Sequence, residues 1–139
     1  MTQQQLMSIT IPKTICELDF SQNEMSFALI KKLQGLEHLS TLSLTGCFSL
    51  KMTKTLDTEM RSLRRLELKQ TGLHDEDLKL IAESKAFKFL EWLDISDNEV
   101  TDLKPIFEST QFQELEYLIA TGNKIHILPN DVKSEYVCK

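Results

Sequence analysis

Apolar residues recur along this chain in one frame. Leu90, Leu93, Ile95 and Val100 enclose a polar Asn98, and the same spacing returns without insertion or deletion at four other places. Ile15, Leu18, Phe20, Asn23 and Met25 form the first copy; Leu39, Leu42, Leu44 and Cys47 form the second, with Leu50 filling in for the polar Ser49. Leu63, Leu66, Leu68, Thr71 and Leu73 form the third, and Leu115, Leu118, Ala120, Asn123 and Ile125 the fifth. Between the second apolar positions, Leu18, Leu42, Leu66, Leu93 and Leu118, the steps are 24, 24, 27 and 25 residues. In extended chain, alternate side chains face opposite sides, so the second and third apolar residues of each copy point one way and the residues around them the other. Each copy therefore predicts a short strand, and constant phase predicts that successive strands stack in parallel. The Asn position then marks the turn away from the sheet. A side-chain amide there can satisfy backbone groups of the turn and of its neighbour, as Asn23, Asn98 and Asn123 allow in full and Cys47 and Thr71 in part.

The returns between strands are long enough for helix. Ser26 caps a predicted helix through Leu33, with Phe27, Ile30 and Leu33 on one face and Gly35 ending it. Gly72 turns the third return, Asp75 caps it, and Leu78, Ile81, Ala82 and Lys85 follow at helical spacing. The second return, Lys51 to Arg61, has few apolar residues beyond Met52, Leu56 and Met60 and predicts irregular or single-turn structure. In the fourth, Asp102 leads into Pro105, which a first helical turn tolerates, followed by Ile106 and Phe107. Phe87, Phe89 and Phe112 are expected between the helix and strand layers. Before the first copy, Met7, Ile9 and Ile11 alternate with Ser8 and Thr10, the pattern of a half-buried strand that would cap the array. Beyond Ile125, the residues Ile127, Leu128, Val132, Tyr136 and Val137 suffice to cover the last copy. A single domain follows, 1–139, with an N-terminal cap over 1–13, five repeats over 14–129, and a C-terminal cap or tail over 130–139.

An L-x-x-L-x-L-x-x-N-x-L frame at this interval resembles the leucine-rich repeat family, in its short, helix-bearing form and not its twenty-residue, proline-rich form. The resemblance covers roughly Thr14 to Pro129. It implies an α/β solenoid, a curved right-handed horseshoe fragment with a parallel sheet on the concave face and short helices on the convex face. It implies a role in binding other proteins and no enzyme chemistry; no cofactor or metal is expected.

Bulk properties narrow the picture further. With 139 residues, 41% of them hydrophobic, the chain suits one soluble domain. Sixteen Lys plus Arg against 21 Asp plus Glu give a net charge of −5, which argues against nucleic acid as partner. Cys16, Cys47 and Cys138 are odd in number and form no C-x-x-C pair, which reads as free thiols in a reducing compartment. No segment has the apolar length that spans a bilayer, so the expected location is cytoplasmic, without a membrane partner.

Function is expected on the strand positions that face away from the leucines. Those before the second apolar residue are Glu17, Thr41, Arg65, Trp92 and Tyr117; those after it are Asp19, Ser43, Glu67, Asp94 and Ile119. Ser21, Thr45, Lys69, Ser96 and Thr121 make a third row. Neighbouring strands lie about 4.8 Å apart, so Trp92 and Tyr117 should be adjacent, with Ile119 beside them and Glu67, Glu91, Asp94 and Glu116 around them. Exposed Trp and Tyr bury much area on binding for few frozen rotors, and carboxylates at the rim favour a partner with a basic or mixed apolar surface. Two alternatives stay open for Trp92: coverage by the C-terminal segment, or by a second copy of the chain. Two functional alternatives also stay open, a bacterial effector that binds a host protein after delivery into its cell, and a substrate-recognition subunit of an enzyme complex such as a ubiquitin ligase.

Other groupings carry less. The run His74, Asp75, Glu76 and Asp77 is explained by a helix start, where acidic residues meet the dipole, without a metal. Glu67 and Asp94 lie on an open row with no enclosed pocket to shift a pKa toward acid–base work. Cys16 and Cys47 have no readable histidine partner, and no glycine loop suits phosphate. The basic group Lys51, Lys54, Arg61, Arg64 and Arg65 is the best rival surface.

Overall fold

The computed structural model of the chain describes Gln5, residues 9–48, Leu50, residues 60–127 and residues 137–138. Each copy of the frame supplies one three-residue strand: β1 (Glu17–Asp19), β2 (Thr41–Ser43), β3 (Arg65–Glu67), β4 (Trp92–Asp94) and β5 (Tyr117–Ile119). A two-residue strand, β6 (Val137–Cys138), joins beyond β5. All are parallel, and their order in the sheet is their order in the sequence. The fold is α/β. Its register aligns Leu18, Leu42, Leu66, Leu93 and Leu118 across the sheet, as the constant phase of the frame requires.

Those leucines form the first column of the core. Leu42, Leu66 and Leu93 are fully buried, as are Leu44, Leu68 and Ile95 in the next column. Removing each such side chain from water stabilises the chain by about 1.5–3 kcal/mol before entropy is counted. In the first coil, which meets a neighbouring strand on one side, Leu18 and Phe20 are half-buried and Ile15 is exposed. Leu50 is buried and completes the second copy.

Return length decides how much helix forms. The longest step, from Leu66 to Leu93, accommodates a nine-residue helix, α2 (Asp75–Glu83), which buries Leu78, Ile81 and Ala82. The shorter steps leave room for single turns: α1 (Phe27–Ile30) and α3 (Lys104–Phe107) have four residues each. The helix expected through Leu33 stops at Ile30. Ser26 Oγ accepts from the Leu29 N–H at 3.3 Å, and Leu33 reaches the core through i to i+3 bonds that follow α1. In α3, Pro105 sits in the first turn as expected, and the Asp102 carboxylate accepts from the Lys104 N–H at 2.8 Å. The second return falls on residues 51–59, outside those described, as do residues 6–8 and 128–136 and the Phe27 side chain.

Of the expected N-terminal strand, residues 9–11 are described: Thr10 makes a parallel bridge with Gln34, and Ile11 is buried while Ile9 is 38% exposed. This contact depends on Gly35, whose φ of 86° favours glycine and at which a side chain would collide with the Ile11 carbonyl. Phe87 and Phe112 are buried between the layers, but Phe89 is 38% exposed, because it lies two residues past the buried position and its side chain turns outward. Asp75 does not cap α2, and Lys85 lies past its end, in the 3-10 turn Lys85–Phe87. His74 holds the cap position, where its N–H donates to the Asp77 carboxylate at 3.0 Å.

Asp75 instead reaches the next coil, where the turn after Val100 presents donors. Its carboxylate accepts from the Thr101 N–H (2.7 Å), the Thr101 hydroxyl (2.5 Å) and the Asp102 N–H (3.1 Å). Partial burial pushes the carboxyl up, but these bonds and the charge of His126 together outweigh it and hold Asp75 below the usual carboxylate range. A depressed folded-state pKa contributes stability that is present above the unfolded value and lost as pH falls through the folded one. Asp75→Asn should therefore flatten the loss of urea resistance on acidification below about pH 4. A titration of the unfolding midpoint that keeps the wild-type slope in this variant would remove Asp75 from that role.

The Asn positions tie coil to coil. Asn98, buried, accepts from the Thr71 and Leu73 N–H groups at 3.0 Å each and donates to the carbonyls of Leu68 and Ile95 at 2.8 Å and of Ser96 at 3.0 Å. Asn123 repeats this with the Val100 N–H and the Ile95 and Ala120 carbonyls. Asn23, in the first coil, is exposed and donates within its own turn, to Phe20 and Ser21. The thinner rungs are those anticipated: the Cys47 thiol reaches the Phe20 carbonyl, and the Thr71 hydroxyl bonds Leu68 of its own turn. The residue before each of these five positions is left-handed: Gln22, Gly46, Gln70, Asp97 and Gly122 have φ of 63°, 75°, 54°, 53° and 71°. Four of them, Gln22, Gly46, Gln70 and Asp97, donate their N–H to the next coil, which holds even glutamine in a conformation that costs about 1–2 kcal/mol.

Candidate functional site

The strand residues that flank the leucines form the opposite face of the sheet. Strand pairing aligns Glu17, Thr41, Arg65, Trp92 and Tyr117 in one row and Asp19, Ser43, Glu67, Asp94 and Ile119 in the next. Trp92 and Tyr117 are therefore direct neighbours, as are Asp94 and Ile119. Tyr117 is 57% exposed, and Trp92 and Ile119 are half-buried.

Trp92 is sheltered by a side chain of its own row. The Arg65 guanidinium lies 3.6 Å from the centroid of the indole, a stacked cation–π arrangement, and its Nε donates to Glu67 at 2.9 Å. Glu67, Arg65 and Trp92 thus form a continuous set that leads to Tyr117. The C-terminal residues Val137 and Cys138 pair alongside β5 with Leu118 and Ile119, which extends the sheet at its edge.

Most of the acidic rim is already engaged. Glu67 pairs with Arg65, and Glu91 lies 3.4 Å from Arg64. Asp94 accepts from the Ser96 N–H at 2.8 Å and from its hydroxyl at 2.5 Å. Asp19 makes the same pair of bonds to Ser21, and those bonds, the hydroxyl first, hold its carboxyl below the usual range. A D-x-S signal in copies one and four marks this arrangement in the sequence. Glu116 is exposed and stands outside it.

The basic group read from the sequence divides. Arg65 belongs to the sheet face, Lys51 and Lys54 lie outside the described residues, and Arg61 and Arg64 sit before β3. There they meet Lys85, Lys88 and the exposed Phe89, which lie outside the repeat frame and so escaped the reading of its rows. Cys16 is exposed and Cys47 buried, both as free thiols. Among the described residues no three His, Cys, Asp or Glu side chains gather as metal ligands, and no helix is long and apolar enough to cross a membrane.

No model of a known protein family matches the chain, and no curated protein does.

Proposed function

We propose that the chain is a protein-interaction module of the leucine-rich repeat kind, in which the parallel sheet lines the concave side of a curved right-handed solenoid and contacts another protein without catalysis. The observation that carries this reading is the exposed Tyr117 beside an indole held flat under Arg65, at neighbouring places on the open face of the sheet. Aromatic and arginine side chains dominate binding hot spots because they give up much surface to water exclusion while losing little freedom. Here the freedom is already reduced: Glu67 and Trp92 fix Arg65, so its ordering cost precedes binding. With Glu67, Glu91 and Asp94 paired internally, the partner's matching surface is mixed and apolar more than basic: an apolar group against Tyr117 and Ile119, and an acceptor for Arg65.

The test compares capture of partners from cell lysate by the intact chain and by a Trp92→Ala, Tyr117→Ala double variant, both shown by circular dichroism to be folded. Loss of a specific partner, with affinity lowered at least about thirtyfold once that partner is purified, is the expected result. Equal capture by both proteins would move the site off this face.

A further inference from the structure

A second surface lies at the edge where the chain enters β3 and β4. Arg61 and Lys88 occupy equivalent places, each four residues before its strand, so consecutive coils set two cations side by side. With Lys85, Phe89, Thr110 and Gln111 they line a groove of about 650 Å³, and among the described residues no carboxylate lines it, although acidic residues outnumber basic ones in the chain. Among the described residues no carboxylate lies within ion-pair distance of Lys85 or Lys88. Phe89 is held at this place by cations, with Arg64 at 5.4 Å and Lys88 at 5.5 Å from its ring centroid. The exposed ring thus lies beside two lysines that form no ion pair with a described carboxylate.

We propose that this groove is a second docking surface, which takes an acidic peptide segment of a partner protein with an apolar side chain laid against Phe89. Charge complementarity selects the acid, since two exposed lysines that make no ion pair with a described carboxylate favour an anionic partner. The exposed ring selects a segment that also carries an apolar group, and the groove has room for several side chains. Nucleic acid fits less well: a few cations on a chain of net charge −5 offer few phosphate contacts. A module with this groove and the sheet face can hold two partners at once.

Fluorescence anisotropy with a labelled peptide of alternating Glu and Phe tests the proposal. Saturable binding to the wild type is expected, weakened by added salt, and weakened at least about tenfold by a K85E/K88E double variant and by Phe89→Ala. Both lysines are exposed, so a K85Q/K88Q variant with an unchanged melting curve should show the same direction of effect. The Trp92→Ala, Tyr117→Ala variant should bind the peptide as the wild type does, which keeps this result separate from that of the sheet face. Absence of saturable binding, or equal binding by K85E/K88E, overturns the proposal. Full competition by inorganic phosphate, or stronger binding to vesicles of anionic lipid than to the peptide, also overturns it and assigns the groove to a phosphate group instead.

Discussion

Replacing Asn98 with alanine lowers the free energy of unfolding by at least about 3 kcal/mol, because it strands buried backbone groups in two coils at once. The Thr71 and Leu73 N–H groups lose their acceptor, and the Leu68, Ile95 and Ser96 carbonyls lose a donor. Each buried polar group left unmade costs about 1–3 kcal/mol, although relaxation and shared bonds keep the total below the sum. Asn98→Asp should also destabilise strongly, since a carboxylate in the same place faces carbonyls it cannot donate to. Asn23→Ala, at an exposed site that bonds only its own turn, should cost well under half as much. Urea unfolding of the three variants decides the matter. If Asn98→Ala and Asn23→Ala lose equal stability, the contacts between coils are not what the asparagine supplies.

Phe87→Ala should cost about 3–5 kcal/mol, the range for an aromatic side chain removed from a close-packed core. Phe87 is fully buried and stands five residues before β4. Leu36, Met60 and Phe112 hold the equivalent place before β2, β3 and β5, and all are buried. Together they form a further core column, on the return side of the sheet, outside the L-x-x-L-x-L frame. A cavity in the middle of that column separates coils on both sides of it. For a chain whose total stability is about 5–15 kcal/mol, such a loss removes much of the margin against unfolding. Phe89→Ala, two residues away but exposed, should change stability by no more than about 0.5 kcal/mol. Equal losses for the two phenylalanines would contradict the inward and outward placement.

The strands were legible because their signal repeats. One leucine in a turn-rich chain says little, but Leu18, Leu42, Leu66, Leu93 and Leu118 in constant phase leave one register that puts every apolar column on the same side. The rows opposite follow from the same alternation, which is how Trp92 and Tyr117 could be placed together from spacing alone. The left-handed place before each Asn position had a readable trace in Gly46 and Gly122, though glutamine and aspartate at the other three concealed it. Helix extent was less legible in the first return, since Ser26, Ile30 and Leu33 fit both a two-turn helix and the single turn that forms.

What no single coil encodes is the choice of partner for a side chain that can reach the next one. Asp75 has the position and chemistry of a helix start, yet it satisfies Thr101 and Asp102, which follow it by a whole repeat. Arg65 could extend into water with any of several carboxylates, but a neighbouring indole offers it a flat face and Glu67 fixes its angle. Periodic apolar spacing, a local property, determined the parallel sheet, its order and its register in this protein. The tertiary structure alone decided which polar groups of adjacent coils meet, and so which carboxylates remain to face a partner, because those distances exist only once the coils are stacked.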